Sequence, residues 1–255
     1  SSLYPLYFMG VNSLKSQAEY MKDMFSVDLL KGHFENYLII FKNFKIGQYL
    51  FNTLLVTVLK LVFTMPLAIF ASYAFAKLRF RGKNAMYPLI ISAMFIPFQV
   101  IMIPVYTMLT KLHMIDTYRG LILVTGTIGI PSSIMLLSSS FRSIPNELLE
   151  AAAIDGCGYF RKIFHIMIPM GKPAIAICTI MGFISSWNDL LPPMVIIKSV
   201  NKRLVMPALD GLVSMYNADT PFQLTGILIA AVPAIAIYLI LSKQIIMGIS
   251  AGSTK

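Results

Sequence analysis

Apolar residues fall along this chain in long blocks, not at the spacing of a half-buried helix or strand. Five blocks, at about 50–76, 86–110, 120–141, 173–197 and 223–247, each reach the roughly 20 mainly apolar residues that a helix needs to cross a hydrocarbon core. They predict five spans. A sixth run, Leu3 to Val11 (LYPLYFMGV), is too short to cross, and it has neither the basic leader nor the small-residue cleavage site of a signal peptide. The chain opens Ser1-Ser2, without Met, so residues 1–11 read as the stub of a truncated first span, and six spans are expected of the complete protein.

The polar connections differ in character. Residues 12–49 are of mixed charge, 111–119 form a short loop, 142–172 a long amphipathic loop, and 198–222 carry Pro207, Gly211 and Pro221. Lys77, Arg79, Arg81 and Lys83 crowd one short turn without a nearby acid, the best positive-inside signal in the chain. The other basic residues divide almost evenly between the two faces, so this turn alone argues for its side being cytoplasmic.

Composition agrees with the blocks. Hydrophobic residues make up 57% of the 255, charged residues only 13%, and the mean hydropathy is +0.74. A soluble domain carries about 25% charged residues, so a water-facing enzyme and a disordered chain are both excluded. The net charge of +10 belongs to Lys and Arg at span ends, and no nucleic-acid partner is expected. Cys157 and Cys178 lack metal-ligand or CxxC spacing.

The segment Arg142 to Pro173 reads RSIPNELLEAAAIDGCGYFRKIFHIMIPMGKP. Ser143 is expected to cap a helix whose first turn holds Pro145 and Glu147. Good helix formers run from Leu148 to Asp155, and Gly156 or Gly158 stops them. A second short helix, Tyr159 to Ile168, is expected to end before Pro169. The result is a helix-turn-helix outside the bilayer. Its first helix sets Ala151, Ala152 and Ala153 beside Glu150 and Asp155, which suits a knob inserted in a groove. The alternative is an amphipathic helix on lipid headgroups, which would want Trp or Phe against Lys or Arg.

EAAAIDG followed by FRKIFHIMIPMGKP resembles the EAA loop of ATP-binding-cassette importer membrane subunits. The departures are small: Cys157 stands where Ala is usual, and Ile168-Pro169-Met170 where Leu-Pro-Leu is common. SYAFAKLRFRGKN (72–84), MFIPFQVIMIPVY (94–106), FISSWNDLLPPMVII (183–197) and MGISAGSTK (247–255) are similar to the carbohydrate-uptake branch, in its shorter, MalG-type permease. The likeness covers nearly everything from about residue 36 onward.

The resemblance implies an all-α polytopic membrane protein with the type I importer transmembrane fold, its core at 50–247 and its EAA loop at 142–172. It implies that Glu147, Glu150, Ala151, Ala152, Asp155 and Gly156 dock in a cleft of a cytoplasmic ATPase, with Pro169 closing the second helix. It places the 77–84 turn, the loop and the 248–255 tail in the cytoplasm and 12–49 outside, in a bacterial or archaeal inner membrane. Gly252, Ser253, Thr254 and Lys255 would reach the ATPases. The implied partners are a second related permease, two ATPase subunits, an extracytoplasmic solute-binding protein, a sugar or oligosaccharide, and membrane lipid. ATP and Mg would sit on the ATPases. This chain has no GxxxxGK[ST] loop and is expected to hold no cofactor and no metal.

Polar groups inside spans need a reason. Thr53, Thr57, Lys60 and Thr64 share one helical face, which would line a solute path or meet a partner subunit. Gln99 lies between Pro97 and Pro104, giving a kinked pore helix or plain packing. Gly126, Gly129, Pro131, Ser132 and Ser133 suggest close helix approach. Trp187, Asn188 and Asp189 stand roughly 22 Å along their span at 1.5 Å per residue. They suit a sugar contact or a structural role before Pro192-Pro193. There is no HExxH, and His33, His113 and His165 are scattered, so no catalytic residue is expected.

The expected function is a permease subunit of an ATP-driven, binding-protein-dependent importer of a sugar or oligosaccharide, not itself an enzyme. The alternatives are the same architecture carrying a polyamine, phosphate or glycerol derivative, and an ATP-independent channel or secondary transporter.

Overall fold

The computed structural model describes residues 4–25, 32–216 and 219–252, the last stretch by backbone only from 241. The described residues are helical with no strand among them. Three short helices come first: α1 (Tyr4–Asn12), α2 (Gln17–Lys22) and α3 (Glu35–Lys42). Helix α2 starts on a capping box, in which the Ser16 hydroxyl accepts from Glu19 N while Ser16 N donates to the Glu19 carboxylate at 2.9 Å.

Helix α4 (Ile46–Lys77) has 32 residues, about 48 Å at 1.5 Å per residue, which exceeds the hydrocarbon core. Its length and apolar character, with those of α7 (Tyr118–Arg142) and of Thr220–Ile240 in α14 (Thr220–Gly252), give three helices able to cross a membrane, or up to five if two bent pairs each form one span.

The first bent pair corrects the expected continuous helix over 86–110. Helix α5 (Lys83–Ser92) runs through a 3₁₀ turn, Ala93–Phe95, and meets α6 (Phe98–Lys111) at 97°. The break falls at Ile96, which is extended at φ −86° and ψ 110°. A residue before proline is pushed out of the helical region by the ring of Pro97. Pro104 lies within α6.

After α7 come α8 (Asn146–Ile154) and α9 (Tyr159–Lys162), then a π turn over Ile163–Met167, then α10 (Ile168–Met170) and α11 (Lys172–Trp187). The helical run therefore does not end before Pro169. In the π turn Ile168 N reaches back five residues to Ile163 O, so the register widens ahead of Pro169, whose missing N–H would break a regular ladder. The direction changes instead between Met170 and Lys172, by 79°. The expected span 173–197 is also shorter as a helix: α11 stops at Trp187, and α12 (Leu191–Ile196) starts afresh with Pro192 and Pro193 in its first turn. Helix α13 (Val205–Met215) precedes α14.

Two compact units divide the chain, one of 1–55 with 187–236 and one of 56–186 with 237–255. In the first, polar groups stitch distant segments together. Asn52 Nδ2 donates to Asn201 O and Arg203 O, Val205 N donates to Thr53 Oγ1 at 2.8 Å, and Thr225 Oγ1 donates to Ser13 O. In the second, Met65, Ala68 and Phe75 of α4 pack with Ile134 and Leu137 of α7 and Cys178 of α11. Close approach is possible because Gly126 has no side chain: a Cβ there would stand 2.7 Å from Phe63, and the bare carbonyl accepts from Thr64 Oγ1 at 3.3 Å.

Candidate functional site: a helical knob on the second unit

The most organised exposed feature of the second unit is α8. Leu149 and Ala152, three residues apart, are buried and fix one face of it. Leu149 joins Tyr73, Phe141, Ile144, Ile163 and Met167 in a small core beneath the loop. The opposite face is presented outward: Glu147, Glu150, Ala151, Asp155 and Gly156 are all exposed, and Ile154 is 88% exposed. A terminal isoleucine held open between two carboxylates and a run of alanines has the form of a plug for a partner's groove.

Both ends of this helix are set by identifiable groups. At its C-terminus Gly156 N donates to Ala153 O and Cys157 N to Ala152 O, with Gly156 at φ +77°. This paired pattern closes the helix with a residue in the left-handed region, which glycine adopts without a Cβ penalty. Of the two glycines expected to stop the helix, Gly156 does so.

At the N-terminus the expectation fails. Ser143 does not cap α8; its N–H and its hydroxyl both go to Ser140 O, at 3.2 and 2.7 Å, closing α7. Pro145 occupies the N-cap position with no side-chain cap bond. The strong α7 C-terminus, with its four orphan carbonyls, captures the serine before α8 can use it.

The organising residue is Lys77, at the last position of α4. Its Nζ donates to Ile144 O, to Asn146 Oδ1 at 2.8 Å and, at 3.4 Å, to Arg142 O. One ammonium thus ties the end of a long membrane helix to the junction from which α8 projects. Sequence reasoning counted Lys77 only as a charge in a basic turn, although a lysine at a helix end close to another helix's C-terminal carbonyls is a recognisable pattern. Arg142 in turn lies over the Tyr87 ring at 5.0 Å. Beside the knob, Phe70 meets Phe160 and Phe164 edge-on at 6.0 and 6.2 Å, and both of those rings are largely exposed.

Pro169 is exposed within the helical run after the π turn. Of the tail, Gly252 ends α14 by its backbone, and Ser253, Thr254 and Lys255 lie outside the described residues.

The polar residues of the spans divide into two groups. Thr57 is fully buried, donating to Ser186 Oγ at 3.1 Å, and Thr64 is engaged with Gly126. Lys60, 7% exposed, borders a cavity of about 360 Å³ together with Thr64, Ser132, Ser133 and Ser185. Gln99 is exposed near the start of α6. In the first unit the Trp187 indole is buried and donates from Nε1 to Ala230 O at 3.0 Å. Trp187 and Asn188 border an apolar crevice of about 580 Å³ with Asp210 at its edge, and Asp189 is partly exposed. No group of three metal-ligating side chains gathers among the described residues.

Comparison with known proteins bears on this arrangement. Residues 64–249 match the family described as binding-protein-dependent transport system inner membrane component. The arabinooligosaccharides transport system permease protein AraQ of Bacillus subtilis is 29% identical over 256 residues, covering 99% of this chain and 90% of that one. The probable ABC transporter permease protein YurM of the same organism is 31% identical over 252 residues, covering 99% and 83%. A chain from the crystal structure of a bacterial ABC transporter involved in alginate import superposes with a TM-score of 0.79 over 95% of this chain and 90% of its own, at 24% identity, a likeness of fold.

Proposed function

Since the chain belongs to the family of binding-protein-dependent transport system inner membrane components, we propose that α8 is the element through which an ATPase subunit drives it. The chain is a multi-pass membrane permease of a sugar-type importer. In the proposed assembly it pairs with a second related permease, two ATPase subunits that hold ATP and Mg, and an extracytoplasmic solute-binding protein. The solute is a sugar or oligosaccharide, as the names of its relatives suggest, among them an arabinooligosaccharide and a diacetylchitobiose uptake permease. The EAA loop and the C-terminus face the cytoplasm, where the ATPases are.

One observation carries this reading: the exposed Glu150, Ala151, Ile154 and Asp155 on a short helix held to α4 by Lys77. Closure of the ATPases on nucleotide would carry α8 with it, and the Lys77 contacts would pass that displacement to the end of α4. Such coupling requires the ATPase groove to bind α8 differently in its two states. Candidate solute contacts in the second unit are Lys60 with the serine hydroxyls of its cavity, and Gln99; in the first unit, taken by itself, they are Asn188 and Asp189. Thr57 and Trp187 act through the packing that their hydrogen bonds fix.

The test is transport by the reconstituted complex with Glu150→Lys and Gly156→Asp together. Wild type should take up oligosaccharide only with ATP and loaded binding protein, and the variant should assemble but lose uptake. Unchanged uptake would remove α8 from the mechanism. Transport by this chain alone, without an ATPase, would point to a channel or secondary transporter, and uptake of polyamine or phosphate in place of sugars would overturn the solute class.

A further inference from the structure

The turn between α4 and α5 holds Lys77, Arg79, Arg81 and Lys83 within seven residues, and no acidic residue occurs anywhere from Asn36 to Ile115. The four cations are not equivalent. Lys77 is turned onto the α7–α8 junction, and Lys83 Nζ folds back to donate to Leu78 O at 2.9 Å. These contacts fix the turn from within. Arg79 and Arg81 are both exposed and make no hydrogen bond or ion pair among the described residues.

Arg79, Lys83 and Asn84 border an open hollow of about 490 Å³, walled on one side by Phe80, which is 38% exposed. The turn ends a helix long enough to cross a membrane and begins one with Met86 and Leu89 turned outward. Basic turns at the ends of spanning helices favour the polar side of a membrane, and Met86 and Leu89 set apolar surface next to these cations. Guanidinium groups present planar forks of donors that match phosphate oxygens.

We infer that this turn is a binding site for the phosphodiester headgroup of an anionic phospholipid. Arg79 takes the phosphate oxygens at the hollow, Arg81 adds its charge from the same turn without lining the hollow, the Asn84 amide meets the glycerol side, and the acyl chains lie along Met86 and Leu89. The site is separate from α8, and it does not depend on the solute or on which leaflet it faces. Each basic residue near an anionic surface is worth about a fivefold change in binding, the equivalent of about 1 kcal/mol, so the pair should give roughly a 25-fold preference over a zwitterionic lipid.

The experiment uses the purified, delipidated complex in detergent, titrated with short-chain phosphatidylglycerol, short-chain phosphatidylcholine or inorganic phosphate, with occupancy read by native mass spectrometry. Phosphatidylglycerol should be preferred, the preference should vanish in Arg79→Gln with Arg81→Gln, and it should be reduced but retained in Arg79→Lys with Arg81→Lys, which keeps the charge and loses the fork. Neutralising two exposed lysines elsewhere, Lys42→Gln with Lys111→Gln, should leave it intact. Equal loss in that control, or no loss in the arginine variant, overturns the site. Displacement of the lipid by inorganic phosphate at matched concentration shows a free-anion site and overturns the lipid assignment. Loss of an ATPase subunit from the arginine variant with lipid binding unchanged assigns the arginines to a protein contact and does the same.

Discussion

Lys77 is the residue on which the local arrangement turns. Three acceptors, on the end of α7, the connection after it and the start of α8, converge on its ammonium, and a hydrogen bond to a charged group contributes about 1.5–3 kcal/mol. With Lys77 only partly buried, the clasp as a whole is expected to contribute about 2 kcal/mol. Lys77→Met keeps the stem and removes the donors. Amide exchange across Asn146–Ile154 should quicken while exchange in the middle of α4 stays slow, and uptake should fall although α8 keeps its sequence. Exchange in α8 that does not change would mean that Leu149 and Ala152 hold it unaided.

Other residue-scale contacts were written in the sequence and went unread. Ser16 and Glu19 have the spacing of a capping box, in a segment that carries none of the family motifs named above. There the Ser16 N–H, followed by its hydroxyl and by His33, holds the Glu19 carboxyl below its ordinary value. The stop of α8 was legible to within two residues, Gly156 or Gly158, and the positive φ at Gly156 decides between them. Ser143 misled because two helix ends competed for it, and a local rule cannot say which end wins.

At the scale of elements, three of the five apolar blocks coincide with helices long and apolar enough to cross a membrane, since length and hydropathy are local properties. Their continuity was less legible. The 97° break at Ile96 follows from the proline after it, yet Pro66, Pro88, Pro131 and Pro233 all sit inside unbroken helices. What separates the two outcomes is whether neighbouring helices support a straight course, which is tertiary information.

Trp187 marks the end of α11, and its role is decided at this scale. The buried Nε1–H donates to the Ala230 carbonyl, so within the first unit the ring is fixed to α14. Trp187→Phe removes that hydrogen bond and some buried ring area and should cost about 1 kcal/mol, seen as a lower melting temperature of the complex with the KM for solute little changed. A direct sugar contact predicts the reverse, a raised KM at constant stability. The measurement pairs thermal unfolding with initial uptake rates on the same preparation.

For the whole molecule, fold class and family follow from features that sequence carries openly: scarce charge, five apolar blocks, and a loop with EAAAIDG. The division into two units does not, because it rests on contacts such as Thr225 with Ser13 and Asn52 with Asn201, which join segments far apart in the chain. The same limit applies to the polar stripe of α4. Spacing put Thr57, Lys60 and Thr64 on one face, but the neighbours of that face decide that Thr57 is sealed while Lys60 borders a cavity.

In the proposed mechanism α8 is the part that an ATPase grips. Ile154 is its most exposed large apolar residue, so replacing it with a photoreactive amino acid and irradiating the transporting complex is the most direct measurement. The cross-link should capture an ATPase subunit, and its yield should change when nucleotide closes the ATPases. A complex that still transports, but in which the probe captures lipid or no ATPase in any nucleotide state, would contradict the account.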